Sequence, residues 1–176
     1  MSGCCTNTCE MPQKPAETRM CPACGERGKA VDLITLKSLL IPEALKRIKP
    51  TTAYRFCKTP HCLVVYFDSD GTETFKKKEL MVRVFQKETA NPLPVCYCFG
   101  FSRKKIAQEI AQTGKSTVQE EITHYVKEGK CACELRNPQG SCCLGNVMHV
   151  VEEHASLKRA VDSVVKYRVY TLNDKS

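Results

Sequence analysis

The chain has 176 residues, a formal net charge of +8 and 13 cysteines. It has no apolar run of about 18 residues that could form a membrane span, and its first residues lack an apolar run of signal-peptide length. We therefore expect a cytoplasmic protein without membrane insertion, in which thiols stay reduced and can bind metals. An odd number of cysteines also does not suit complete disulfide pairing. Nucleic-acid binding is not expected, because no aromatic-basic stripe or recognition-helix pattern accompanies the positive charge.

The first half of the chain predicts a tail followed by a β-rich module. Residues 1–18 are polar and contain two prolines, which predicts a mobile tail. Residues 19–88 are predicted to fold as the β-rich module, with one short helix over residues 41–48 that begins with Pro42. Its predicted strands cover residues 31–36, 53–56, 63–67, 72–75 and 81–85, with a hairpin turn at 68–71.

The second half predicts a linker and a helical module. Two prolines make residues 89–94 the natural linker. Residues 95–150 form the second module, and residues 151–176 a C-terminal helix and tail. The predicted features are a helix over 103–112 between a Ser102 cap and Gly114, a helix through 128 that begins with a Thr117/Glu120 capping box, a turn at 137–140 and a helix over 147–165. The sequence thus predicts an α+β protein, with a small β-rich module followed by a small helical one.

Two cysteine pairs in the first module are spaced as a zinc site. The first pair encloses the dipeptide Pro22-Ala23, and the second lies in a turn between two predicted strands. Such pairs supply four thiolates to one ion, and a site with all four positions filled is structural. The predicted ligands are Cys21, Cys24, Cys57 and Cys62. His61 is an alternative ligand, and a redox dithiol at the first pair would require a βαβ context that is missing here.

Further cysteines in the second module predict a second metal site. Cys96 and Cys98 are two residues apart, so in an extended backbone both side chains face one way and can reach one iron. Four thiols compete for the two remaining places, and only one of the adjacent pair is expected to bind. The competing residues are Cys131, Cys133, Cys142 and Cys143.

At these motifs the chain resembles two known families. The run PVCYCFGFSRKKIAQEI, the helices after it and the later cysteine loop are similar to the 2Fe-2S domain of bacterioferritin-associated ferredoxin, although CACELRNPQGSCC replaces that family's final CxxC. The chain resembles the amino-terminal region of CopZ-type copper chaperones more fully. The shared elements are CPAC at 21–24, Cys57-x4-Cys62 ahead of VVYF, VCYC at 95–98 and NPQGSCC at 137–143.

The CopZ resemblance implies two metal centres. It places zinc on the four cysteines of the first module and a 2Fe-2S cluster on Cys96, Cys98, Cys133 and Cys143, with Cys131 and Cys142 as second choices. CopZ-type chaperones can carry a further copper-binding domain, which we do not find after Val150. Cys4, Cys5 and Cys9 could take its place as soft ligands for Cu(I), but a tail with incidental cysteines is an equal alternative.

The implied function is a cytoplasmic metallochaperone for copper or another thiophilic ion. Its expected partners are metal ions and a metal-transporting ATPase or another metal-handling protein. The alternative is a ferredoxin-like electron-transfer protein that carries no metal cargo. We expect no enzyme, because His124 and Tyr125 lie within a predicted helix without a nearby nucleophile.

Overall fold

The computed structural model describes residues 19–90 and 92–173 of the chain. Cys4, Cys5 and Cys9 lie outside these residues. A β-sheet occupies the first part and helices follow it, which confirms the predicted α+β class. In the described part of the chain, no helix combines the length and hydrophobicity needed to cross a membrane.

An antiparallel sheet forms the centre of the first part. Its four strands follow each other in chain order and are β1 (Lys29–Val31), β2 (Tyr54–Phe56), β3 (Val64–Asp68) and β4 (Thr74–Lys76). Every residue of β3 is buried, so the apolar run before the hairpin lies in the core as predicted. The predicted strands over 53–56, 63–67 and 72–75 are thus confirmed to within a few residues.

Asp68 holds the β3–β4 turn together. Its buried carboxylate accepts hydrogen bonds from the backbone N–H groups of Thr72 (2.8 Å) and Glu73 (3.0 Å) and pairs with Lys49 Nζ at 3.1 Å. Burial alone would raise the pKa of Asp68, but these hydrogen bonds outweigh it and hold the pKa below its ordinary value of 3.8. The carboxylate is therefore charged at neutral pH.

The predicted strand over 31–36 is wrong beyond its first residue. β1 ends at Val31, Asp32 is the N-cap, and helix α1 covers Leu33–Leu39. Val31, Ile34 and Thr35 are β-branched and suggested a strand, but Leu36 and Leu39 repeat at helical spacing and are both buried. The next helix, α2 (Pro42–Leu45), begins with proline as predicted.

The predicted strand over 81–85 is also wrong. Leu80 makes a single β-bridge to Leu40, and Met81 N–H donates to Leu39 O at 2.8 Å, but the pairing does not continue. Val84 and Phe85 are both buried although they are neighbours, which a strand with one solvent face does not allow. A 3₁₀ turn over Phe85–Lys87 takes the place of the strand.

The second part has a small two-stranded ribbon followed by helices. Its elements are β5 (Pro94–Cys96), β6 (Phe101–Ser102), α3 (Arg103–Thr113), α4 (Val118–Lys127), α5 (Cys133–Arg136) and α6 (Leu144–Asn173). Ser102 Oγ accepts the N–H of Lys105 at 3.2 Å, and Gly114 ends α3 at φ +82°, so both predicted ends of this helix are confirmed.

Two details of the helices differ from the prediction. The capping box at the start of α4 is wrong, because Thr117 has a helical ψ of −8° and its side chain caps no N–H. Its hydroxyl lies 2.8 Å from carboxylate oxygens of Glu109 and Glu121 instead. The last helix is longer than predicted, since α6 begins at Leu144 and runs to Asn173.

The loop between α5 and α6 packs on the first part of the protein. Gly140 N–H donates to Asn137 O at 2.8 Å, which confirms the predicted turn at 137–140. Tyr66 in β3 donates its buried hydroxyl hydrogen bond to Pro138 O at 2.8 Å, and α5 lies against α1. The loop that leads to Cys143, one of the cysteines predicted for the second metal site, is therefore fixed to the sheet.

Candidate metal centres

The structure brings the four cysteines of the first predicted site together. The Sγ atoms of Cys21, Cys24, Cys57 and Cys62 all lie within 4.8 Å of one another. All but Cys24 are buried, and Cys24 is partly buried. Four sulfurs at this separation form a donor set of the kind that binds zinc. His61 is exposed and does not belong to this group.

Two tight turns aim these sulfurs at one point. In the first, Gly25 N–H donates to Cys21 O at 2.8 Å, and Gly25 adopts φ +71°, a conformation that glycine accepts without strain. In the second, Cys62 N–H donates to Thr59 O at 3.2 Å. Cys57, at the start of this turn, donates its N–H to Val65 O in β3 at 2.8 Å. The sheet thus holds the second turn in place beneath the first.

Three of the four thiols have shifted pKa values. Burial raises the pKa of Cys21 to about 12 and also raises the pKa of Cys62. Burial acts on Cys24 as well, but a hydrogen bond with Thr59 Oγ1 (3.4 Å) and one from the Glu26 backbone outweigh it and lower the pKa to about 7. Among these three thiols, Cys24 is therefore the one that ionises most readily.

Lys87 is a further member of this site that we did not predict from the sequence. Its side chain is buried, and its Nζ lies 3.7 Å from Cys57 Sγ, 2.9 Å from Thr59 O and 3.0 Å from Cys62 O. The residue belongs to the 3₁₀ turn that replaces the predicted strand over 81–85. A lysine between Gln86 and Glu88 carries no sequence signal that would connect it with distant cysteines.

Pairwise contacts between thiols join the second group of cysteines. Cys98 Sγ lies 3.7 Å from Cys133 Sγ, and Cys143 interacts through its thiol with both Cys96 and Cys133. Of these four, only Cys98 is partly exposed, and its sulfur accepts a hydrogen bond from Ala132 N–H at 3.3 Å. Of the two second choices, Cys131 is partly exposed and Cys142 is exposed.

Hydrogen bonds among these thiols separate their pKa values. Contact with Cys143 lowers the pKa of Cys133 to about 6 and that of Cys96 to about 7, while the pKa of Cys143 itself is raised. Burial raises the pKa of Cys98 to about 12. The thiols of Cys96 and Cys133 therefore ionise more readily than those of Cys98 and Cys143, and ligation by a metal requires the thiolate form.

Apolar side chains surround the second group. Cys96 and Cys143 belong to a buried cluster that includes Leu93, Val95 and Val147. These residues come from the segment before the ribbon, from β5 and from α6. A low-dielectric surrounding of this kind excludes water from bound sulfur and metal.

Comparisons with known proteins agree with this architecture. Residues 18–81 match the CopZ family described as a zinc binding domain. Copper chaperone CopZ of Archaeoglobus fulgidus is 36% identical over 123 residues, which are 70% of this chain and 57% of that protein. The X-ray structure of the Archaeoglobus fulgidus CopZ N-terminal domain matches with a TM-score of 0.61 and 31% sequence identity. The match covers 96% of that domain and 74% of this chain.

The chain therefore belongs to the family of the CopZ amino-terminal domain, to which it is related in sequence and fold, and the zinc-binding-domain match lies within its residues 18–81. It spans somewhat more than half the length of the curated relative that it matches. The CopZ part of the resemblance noted from the sequence is thereby confirmed.

Proposed function

We propose that this protein is a metallochaperone that carries a structural zinc ion and a redox-active 2Fe-2S cluster. The observation that carries the proposal is that the chain has two separate cysteine groups. The four sulfurs of the first lie within 4.8 Å of one another, and pairwise thiol contacts join the four cysteines of the second. Zinc is assigned to Cys21, Cys24, Cys57 and Cys62, whose sulfurs form a closed four-donor set. Such a site leaves no open position for a substrate, so its role is to hold the β-rich module of residues 19–88 in shape.

The cluster is assigned to the second group, in the helical module of residues 95–150. Four thiols with mostly buried sulfurs and apolar neighbours suit this cofactor, which thiolates bind. The proposed ligands are Cys96, Cys98, Cys133 and Cys143. The exposure of Cys142 argues for its buried neighbour as the fourth ligand. A 2Fe-2S cluster, when bound, supplies one-electron redox chemistry of the kind that converts Cu(II) to Cu(I).

The proposed cargo is copper or another thiophilic ion. The matched relative is a copper chaperone, and soft thiolates select Cu(I). Cys4, Cys5 and Cys9 are the candidate cargo ligands, and a metal-transporting ATPase or another metal-handling protein is the candidate partner. We place the protein in the cytoplasm and assign it no enzymatic activity apart from redox action on the ion.

A ferredoxin-like electron carrier without cargo is the second candidate. It is favoured by the partial exposure of Cys98, which brings one side of the second group close to the surface and therefore to an electron donor or acceptor. The two candidates share both metal centres and differ only in whether copper is bound.

Copper binding by the tail separates them. Protein purified without air is loaded with Cu(I), passed over a desalting column and analysed for copper, beside a variant with Cys4, Cys5 and Cys9 all changed to Ser. A chaperone of the proposed kind loses retained copper in the variant while zinc and iron stay unchanged. Equal copper in both proteins would favour the electron carrier, and absence of iron from both would remove the cluster from the proposal.

A further inference from the structure

Lys87 stands out as a buried lysine with an unusual set of neighbours. Only 6% of the residue is exposed, and lysines are rarely buried this far unless a partner compensates the charge. In the described part of the chain no carboxylate forms an ion pair with it. Its neighbours are a sulfur and two carbonyl oxygens, all from the turn of the second zinc pair.

The geometry uses every hydrogen of the ammonium group. An ammonium carries three N–H donors, and three acceptors surround Nζ: Cys57 Sγ at 3.7 Å, Thr59 O at 2.9 Å and Cys62 O at 3.0 Å. Of these acceptors, only the sulfur can bear a full negative charge. The side chain therefore meets the conditions of a counter-ion to the Cys57 thiolate.

A zinc ion held by four thiolates needs such a counter-ion. Zn²⁺ with four thiolates leaves a net charge of about −2, and here most of that charge is buried. A buried charge is costly unless it is paired, and one ammonium would halve the excess.

We infer that Lys87 is a positioning residue of the zinc centre, the counter-ion that retains zinc and shields Cys57. Its ammonium donates to Cys57 Sγ, which lowers the electron density on that sulfur and makes it a weaker nucleophile. Without this charge, the site holds zinc less tightly, and Cys57 reacts with electrophiles faster than it does in the wild-type protein. This inference rests on the zinc assignment proposed above.

Two substitutions separate the charge from a merely structural role. Lys87→Gln keeps an N–H donor for the two carbonyl oxygens but removes the charge, whereas Lys87→Arg keeps the charge. Lys58→Gln is the matched control, because Lys58 is exposed, follows Cys57 directly and carries the same charge. A role limited to the two carbonyls predicts that the Lys87→Gln protein behaves like the control.

Zinc affinity is measured without air by competition with a chromophoric chelator. We expect roughly tenfold or greater loss of affinity for Lys87→Gln, because hydrogen bonds to charged groups are the stronger class, and a much smaller change for Lys87→Arg and Lys58→Gln. Zinc-loaded protein is also treated with iodoacetamide and mapped by mass spectrometry. We expect iodoacetamide to alkylate Cys57 faster in Lys87→Gln than in the wild-type protein. The relative alkylation rates of the other three zinc ligands should stay the same.

Equal zinc affinity and equal Cys57 alkylation in Lys87→Gln and Lys58→Gln would overturn the inference. If the Lys87→Gln protein does not fold with zinc present, Lys87→Met is used instead, because methionine fills the same space without charge. We expect Lys87→Met to lose zinc affinity by the same factor. Wild-type zinc affinity in Lys87→Met would contradict the inference. A wild-type protein that binds no zinc would refute the zinc assignment itself. A zinc-binding wild type with unaltered variants would refute only the role of Lys87.

Discussion

Gly140 gives the sharpest test of how the two parts of the protein are joined. It ends the turn at 137–140 with φ +62°, and a Cβ atom added there would lie 2.6 Å from Val31 Cγ2 and 3.0 Å from Thr35 Oγ1. Val31 and Thr35 are both buried, and they belong to β1 and α1. The substitution Gly140→Ala therefore pushes the turn away from the first part of the protein.

Two costs add up in this variant. Alanine in the left-handed region costs about 1–2 kcal/mol, and forcing a methyl group into a packed contact costs about 1–3 kcal/mol more. Gly129→Ala is the matched control, since Gly129 has φ +70° and no atom within 4 Å of its added Cβ. The control carries the backbone cost alone, so the difference between the two variants measures the packing of the turn.

The free energy of unfolding is obtained from urea titrations of metal-loaded protein, followed by circular dichroism. We expect Gly140→Ala to lose about 2–5 kcal/mol and Gly129→Ala about 1–2 kcal/mol relative to wild type. Because the turn lies between Cys133 and Cys143, Gly140→Ala is also expected to retain less iron. Equal losses of stability in both variants would refute the packing of this turn against α1 and β1.

Three further predictions concern single groups. Tyr66→Phe leaves the buried Pro138 carbonyl without its donor, and we expect a loss of about 1–2 kcal/mol in the same urea titration, whereas no loss would contradict the contact. Because the pKa of Asp68 is lowered in the folded protein, its contribution to stability is complete above about pH 4 and is lost as the pH falls through the lowered pKa. In that acidic range, the stability of the wild-type protein should decline more steeply than that of Asp68→Asn. Parallel pH profiles of the two proteins would contradict this. Cys143→Ser should abolish iron binding while Cys142→Ser, a change at the adjacent exposed cysteine, leaves it intact; the reverse result would exchange their roles.

The sequence predicted the parts of the fold where local rules and packing agree. Ser102 caps α3, Pro42 begins α2, and the apolar run before the hairpin forms the buried strand β3. Each of these features depends on neighbours only a few residues apart. Helix and strand boundaries of this kind can be inferred without knowing what the segment packs against.

The errors occurred where tertiary contacts outweigh local preference. Residues 33–36 are partly β-branched, yet they form a helix because Leu36 and Leu39 are buried together. Residues 81–85 alternate like a strand, but their pairing ends after the single bridge of Leu80 to Leu40. The helical spacing of Leu36 and Leu39 could have corrected the first prediction, whereas the bridge partner of Leu80 is distant in the chain, so periodicity alone could not show where that pairing ends.

The candidate sites show the same division. Spacing predicted which cysteines approach one another, because paired thiols close on one ion through short turns. The spacing left open which of the last four cysteines bind the cluster. Burial now distinguishes the buried Cys143 from the exposed Cys142. The difference is smaller between Cys133, which is buried, and Cys131, which is partly exposed. Lys87 could not be predicted, since its contact with Cys57 depends on the fold of a segment distant in the chain.

The most direct test of the account is a metal and sulfide count on one sample of protein purified without air, together with its absorption and EPR spectra. We predict about one zinc, two iron and two acid-labile sulfides per chain, with the EPR signal of a 2Fe-2S cluster after reduction. Removal of zinc should unfold the β-rich module. Protein that holds neither iron nor sulfide, or metal-free protein with reduced thiols that unfolds as cooperatively as the loaded form, would contradict the claim that two metal centres organise this chain.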